Sequence, residues 1–302
     1  MKVAVLIPCR NEESTIHSVV TAFKKYLPDA DIYVCDNASD DQTALKARDA
    51  GAKVTFEPIP GKGHVVRRMF ADVEADLFLL VDGDSTYDPS EAPLLLKTLL
   101  ENDLDMVAGA RSSLTEDANR RGHSLGNKIF NRLYRLLFSS EFSDILTGYR
   151  VFTRRLVKSF PSVSTGFEIE TEISVHTSQL DLPVMEVPVT YSARPEGSKS
   201  KLRTVSDGFK ILKAMVVLLK ENRPLLLFGS LSLASTIASA ILSIPLIVTF
   251  VDTGLVPRLP TAILVAGLAV LSLLFLALGL ILDSVAKGRI ELRRLTYLQI
   301  PK

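Results

Sequence analysis

The residues with the most chemistry to offer lie in the stretch Leu77-Phe78-Leu79-Leu80-Val81-Asp82-Gly83-Asp84-Ser85-Thr86. Five apolar residues in a row, bounded by turn formers, read as a strand buried on both faces, and two carboxylates follow where that strand ends. Two acids one residue apart repel each other unless a cation sits between them. Hard oxygen donors, with Gly83 permitting close approach, suit Mg2+ or Mn2+ carrying a diphosphate. The ends of parallel strands are where open α/β sheets place their ligands.

The elements that must position these acids follow from the pattern around them. Lys2 to Ile7 is a strand, broken by Pro8-Cys9-Arg10-Asn11-Glu12-Glu13 before a helix with Ile16, Val19, Val20, Phe23 and Leu27 at helical spacing and Asn11 as its N-cap. A second strand, Asp31 to Cys35, ends at Asp36, and Thr43 to Ala50 reads as a helix closed by Gly51. A third strand covers Lys53 to Glu57, and Gly61-Lys62-Gly63 opens the next helix. Strand, helix, strand, helix is the order of a parallel doubly wound sheet, whose right-handed crossovers bring Arg10 to Glu12, Asp36 and Asp82 to Asp84 to one edge. Beyond the acids, Asp88-Pro89 starts a helix, Asp105 to Gly109 is a strand ending at Ala110-Arg111, and further strands are expected at Val151 to Thr153 and Val184 to Thr190. His123, beside Arg120 and Arg121, reads as structural, because two neighbouring guanidinium groups discourage its protonation.

The chain has 302 residues and a formal charge of +1, so no global field recruits nucleic acid, and no basic run with interleaved aromatics is present. Cys9 and Cys35 fall at ends of expected strands and read as reduced thiols, small and buried. No signal peptide is expected before Lys2. From Pro224 to Val251, and again from Leu259 to Leu282, no residue is charged. Each run exceeds the roughly 20 residues that cross a bilayer, so two membrane spans at about 225–251 and 259–282 are expected, joined by a short loop from Asp252 to Arg258. Lys220 and Arg223 flank the first span, and Lys287, Arg289, Arg293 and Arg294 follow the second, which places both termini in the cytoplasm by the positive-inside rule. Val205, Phe209, Leu212, Val216 and Leu219 form an apolar stripe suited to the membrane interface. The expected organisation is a catalytic domain over 1–203, an interfacial helix over 204–223 and a membrane hairpin with a basic tail over 224–302.

With Ile7-Pro8-Cys9-Arg10-Asn11-Glu12, Asp36 before Ser39-Asp40 and Thr43, Gly61-Lys62-Gly63, Val81-Asp82-Gly83-Asp84, Asp144 before Thr147-Gly148-Tyr149-Arg150, and the Gly197 to Leu202 loop all in order, the chain resembles family 2 glycosyltransferases of the GT-A fold. More narrowly, it resembles the dolichol-phosphate-mannose synthase and polyprenyl-phosphate glycosyltransferase branch, over residues 2 to about 210. That resemblance implies a Rossmann-like, mostly parallel α/β sheet flanked by helices and inverting hexose transfer from a nucleotide diphosphate sugar to a polyprenyl phosphate, with Mg2+ or Mn2+. Pro8, Cys9, Arg10 and Glu12 would line the nucleotide pocket and Asp36 would accept from the base. Asp82 with Gly83 would face ribose and metal, Asp84 the metal and diphosphate, and Lys62 the donor. Arg111 and Arg121 would face the acceptor phosphate, Asp144 the sugar, and Arg194, Ser200 and Lys201 would belong to a closing loop.

Two departures from the family pattern bear on this reading. Ser85-Thr86 stand where many lipid-phosphate members carry Leu-Gln, which leaves the third protein ligand of the metal open. A chain without Trp lacks the Gln-x-x-Arg-Trp motif of polysaccharide synthases, so processive synthesis is disfavoured. The rival readings are a membrane-anchored transferase acting on a hydroxyl, with Asp144, Glu168 or Glu170 as base, and a non-catalytic sugar-nucleotide-binding subunit. A homo-oligomer is compatible with the sequence.

Overall fold

The computed structural model describes residues 1–113, 142–166, 168–193, 216–217, 219–221 and 223–301. It divides into two compact units, Met1–Leu212 with Arg293–Lys302, and Lys213–Leu292.

The first unit is built on a seven-stranded sheet of β1 (Val3–Cys9), β2 (Asp31–Asp36), β3 (Lys53–Phe56), β4 (Leu77–Leu80), β5 (Met106–Ser113), β6 (Arg150–Thr153) and β7 (Val184–Tyr191), in the spatial order β3-β2-β1-β4-β6-β5-β7. All neighbouring pairs are parallel except those of β6, which runs antiparallel between β4 and β5. The all-apolar β4 is buried at every position, as its continuous hydrophobic run requires, and is paired with β1 through Val5 and Leu79. Helices α1 (Ile16–Tyr26), α2 (Thr43–Asp49), α3 (Lys62–Asp72) and α4 (Ala92–Glu101) supply the crossovers. The apolar stripe Ile16, Val19, Val20 and Phe23 of α1 is buried, and Phe23 meets the Tyr149 ring edge-on.

Two expectations differ in detail. Asn11 does not cap α1, whose N-cap is Thr15; it adopts a left-handed backbone, φ 52°, and its Oδ1 accepts from the Asp40 amide at 2.8 Å. Strand β5 does not stop at Gly109 but continues beside β7, pairing Arg111 with Val189, so Arg111 stands on a strand. The Pro188 of β7 is accommodated because that strand lies at the sheet edge.

Arg150, which starts β6, is wholly buried. Its guanidinium donates to the Thr147 and Ile145 carbonyls and to Ser174 Oγ at 3.0, 2.7 and 2.9 Å, and so shapes the 144–149 loop from below. Two further helices follow among the described residues, α5 (Arg154–Ser159) and α6 (Ile169–Gln179). His176 of α6 is buried against the Phe160 ring, and neither ring nitrogen has a hydrogen-bond partner. Burial, with Arg293 adding repulsion, lowers its pKa to about 4. The folded state therefore resists protonation that the unfolded chain accepts near pH 6.5, so stability should fall as pH drops from about 6.5 toward 4, by roughly 3 kcal/mol in full. Thermal unfolding in detergent across that range should show the loss in the native chain and a flatter profile in His176→Leu.

The second unit contains two long helices, α7 (Pro224–Thr253) and the larger part of α8 (Leu259–Gln299), each long and apolar enough to cross a membrane. Thirty residues of α7 span about 45 Å, more than the roughly 30 Å of hydrocarbon. Hydroxyls join the two helices: Ser232 and Thr236 meet Ser272 Oγ at 3.0 and 2.6 Å, and Ser239 donates to the Val265 carbonyl. Such pairs hold helices together where lipid offers no hydrophobic drive for association. The helix α8 runs unbroken past the expected end of its span, and residues 293–302 count with the first unit. There Tyr297 donates to Asp105 and Arg293 to Gln179, both at 2.8 Å.

Candidate active site

The polar loops after β1, β2 and β4 meet at one edge of the sheet, and each contains one non-glycine residue in the left-handed region: Asn11, Ala38 and Ser85, at φ 52°, 51° and 61°. Such conformations persist where surrounding bonds over-determine them. Here the bonds run between loops. The Asn11 amide donates to Ser39 Oγ, the Glu12 amide to Thr43 Oγ1, and Thr15 Oγ1 to the Gly83 carbonyl, at 2.9, 2.8 and 2.7 Å. Asn37 is the hub: its amide donates to the Cys9 carbonyl, its side-chain NH2 to the Glu57 and Ile59 carbonyls, and its Oδ1 accepts from the Gly61 amide. Asn37 was quoted in the sequence only as part of a polar run; its role is visible only when three loops converge.

Beside it, Asp36 is 5% exposed and its Oδ1 has no hydrogen-bond partner. A buried carboxylate oxygen left without a donor costs enough free energy to mark a place where a ligand's N–H belongs. Glu12 is buried on the adjoining loop, Pro8 is half-buried, and Arg10 is exposed. The Cys9 thiol, expected to be small and buried, belongs to the core and lies where a Cβ on Gly83 would fall, at 2.5 Å. That contact also explains Gly83, since a side chain there would collide with Cys9 and Ile7.

The two acids are held differently. Asp84, 3% exposed, accepts at Oδ1 from Thr86 Oγ1 at 2.6 Å and from the Thr86 amide at 3.2 Å. Asp82 is more open and rests over the backbone of Gly148, where a Cβ would meet its Oδ2 at 2.5 Å. Its Oδ1 contacts Lys62 Nζ at 2.5 Å, and the same ammonium contacts Glu170 Oε1 at 2.5 Å. Burial opposes the charge on Lys62, but Asp82 and Glu170 outweigh it and drive its pKa upward. Burial raises the Glu170 carboxyl, with Lys62 acting against that rise.

Arg111 and Asp144 are brought together. Arg111 Nε and Nη2 donate to the two oxygens of Asp144, both at 2.7 Å, and the Arg111 amide adds a third bond at 3.2 Å. Glu186 of β7 accepts from the Asp144 amide and from the amide and hydroxyl of Ser143, fixing the other side of the loop. Tyr191, Tyr87 and Tyr149 form a chain of ring contacts, with the Arg111 guanidinium over Tyr191 at 5.4 Å. The Gly148 amide donates to the Tyr87 hydroxyl at 3.0 Å, so this aromatic chain also supports the floor under Asp82. Arg121, His123, Arg194, Ser200 and Lys201 lie outside the described residues, as does most of the expected interfacial helix.

A doubly wound sheet with an Asp-x-Asp pair at its ligand edge, beside a buried carboxylate with one unpartnered oxygen, is the arrangement of a GT-A-type fold. The family model described as "Glycosyl transferase family 2" matches residues 4–160, and the chain belongs to that family. It is 37% identical over 236 residues to glycosyltransferase AglJ of Haloferax volcanii, covering 78% of this chain and 77% of that protein. It is 28% identical over 221 residues to the dolichyl-phosphate hexose transferase of the same organism, covering 73% and 95%. Glucosyl-3-phosphoglycerate synthase from Mycobacterium tuberculosis, solved with Mn2+, UDP and glucosyl-3-phosphoglycerate, shares the fold, with a TM-score of 0.60 at 21% identity over 72% of this chain and 79% of that one.

Proposed function

We propose that the chain transfers a hexose from a UDP- or GDP-sugar to a polyprenyl phosphate at the cytoplasmic face of a membrane, with inversion at the anomeric carbon. The observation that carries this reading is that a donor-type edge holding Asp36, Asp82 and Asp84 is followed in the same chain by two membrane-length helices. The relative named as a dolichyl-phosphate hexose transferase supports the choice of acceptor class.

The orphaned Asp36 oxygen takes an N–H of the base, and the loops tied by Asn37 hold that pocket in shape before the donor arrives. Asp82 and Asp84 are the residues that would hold Mg2+ or Mn2+. Among the described residues no third His, Cys, Asp or Glu joins them, and this fits cations that take one or two carboxylates and complete their shell with substrate phosphates and water. When bound, the cation supplies positive charge against the leaving diphosphate. The attacking phosphate monoester, with a second pKa near 6, is largely ionised at neutral pH and needs no strong general base. Asp144 and Glu170, offered above as bases for a hydroxyl acceptor, are already engaged by Arg111 and Lys62, which favours the phosphate. Glu168 retains a buried Oε2 without a hydrogen-bond partner and is the group a hydroxyl acceptor would use.

A panel of labelled UDP- and GDP-sugars, offered with polyprenyl phosphate or with neutral polyprenol in detergent, tests the reading. One nucleotide sugar is expected to label the phosphate lipid and leave the alcohol unlabelled. Labelling of the alcohol alone would overturn the phosphate as nucleophile.

A further inference from the structure

The ammonium of Lys62 sits where it could defeat the site it serves. With Asp82 as its sole partner it would neutralise one of the two acids expected to attract a divalent cation. Glu170 changes that balance. It stands in the first turn of α6 and takes the second 2.5 Å contact of the ammonium. Its other oxygen, Oε2, is buried with no hydrogen-bond partner, so the carboxylate has no other ion-pair task there. The backbone around it is fixed. Glu172 accepts from the Val163 and Ser164 amides at 2.9 and 2.8 Å, and the 164–165 backbone lies so close to Gly61 and Gly63 that no side chain would fit at either glycine. The start of α3 and the start of α6 are thereby held in one register, and the Lys62 stem spans the gap between them.

Resting on the metal-assisted reading above, we infer that Glu170 is a positioning residue that balances the charge of Lys62 and leaves Asp82 available to a divalent cation. The charges support this: Asp82, Lys62 and Glu170 sum to −1, and Asp84 brings the cluster to −2, which matches Mg2+ or Mn2+. Without Glu170 the sum is −1, and Lys62 competes with the cation for Asp82 undivided. Neither Glu170 nor Lys62 is asked to exchange a proton.

The test is Mn2+ binding, followed by electron paramagnetic resonance in the presence of UDP and, separately, GDP, on the full chain in detergent. Glu170→Gln keeps the shape and removes the charge, and should weaken Mn2+ binding on the order of tenfold. Glu170→Asp should recover part of that loss. Adding Lys62→Met to Glu170→Gln removes the competitor and should restore Mn2+ binding relative to the single variant. Unchanged Mn2+ binding in Glu170→Gln would overturn the inference, and so would a double variant that binds no better than Glu170→Gln. If the Gln variant does not fold, Lys62→Met alone decides: it should bind Mn2+ at least as tightly as the native chain, and weaker binding would refute the competition. Failure of the native chain to take up Mn2+ with either nucleotide would instead refute the metal-assisted reading itself.

Discussion

Asp84→Asn is expected to lower turnover at least about a hundredfold while leaving the fold in place. The substitution keeps the size of the side chain, and its amide oxygen remains available to Thr86, whose hydroxyl and amide both donate to Asp84 Oδ1. What disappears is a formal charge at a residue only 3% exposed, where a counter-charge acts through little water. The developing charge of the leaving diphosphate would then lack its countercharge, so the loss should appear in the chemical step and not merely in donor affinity. Steady-state kinetics with an excess of chelator as a parallel arm provide the check. Turnover within about threefold of the native enzyme, or native activity undiminished by chelator, would remove the cation from the reaction.

Much of this architecture was legible in the residues because the signals were local. The run Leu77 to Val81 and the turn after it indicated both a buried strand and the place where the acids had to emerge, and β4 lies in the sheet with both neighbours paired. The helical spacing of Ile16, Val19, Val20 and Phe23 likewise identified the buried face of α1. What the sequence hid were pairings across long separations. Nothing local tells Lys62 that Glu170 will reach it from a helix more than a hundred positions away, nor that Asn37 will tie its own loop to the end of β1 and to the 57–61 loop. The resemblance implied that Arg111 faces the acceptor phosphate, and the strand before it was expected to end at Gly109. Pairing with β7 carries that strand four residues further, to Ser113, and the Arg111 guanidinium lies alongside Asp144. Cys9 was legible as a small buried thiol: it is the last residue of β1, and its side chain joins the core.

The Arg111–Asp144 pair yields the second large effect, on stability as well as activity. Burial alone would raise the Asp144 carboxyl, but the Arg111 fork and amide hold it below its ordinary value of 3.8. A depressed carboxylate contributes stability that is intact above that ordinary value and is lost as pH falls through the folded one, so at neutral pH the pair is at full strength. Arg111→Met keeps much of the stem and removes the fork. It strands a carboxylate that is 9% exposed, at a cost of about 3 to 5 kcal/mol, which for a domain of this size is a drop of roughly 6 to 20 °C in the unfolding midpoint. Asp144→Asn leaves the guanidinium a neutral acceptor and should cost less. In the double variant neither charge is stranded, so its loss should be smaller than the sum of the two single losses, and the shortfall measures the coupling. Activity should follow the pair: Arg111→Lys, which cannot make the two-pronged contact, and Asp144→Asn should both lower turnover. If instead Arg111→Met left the unfolding midpoint unmoved and raised only the apparent Michaelis constant for polyprenyl phosphate, Arg111 would be acting on the acceptor independently of Asp144, as the family resemblance implied.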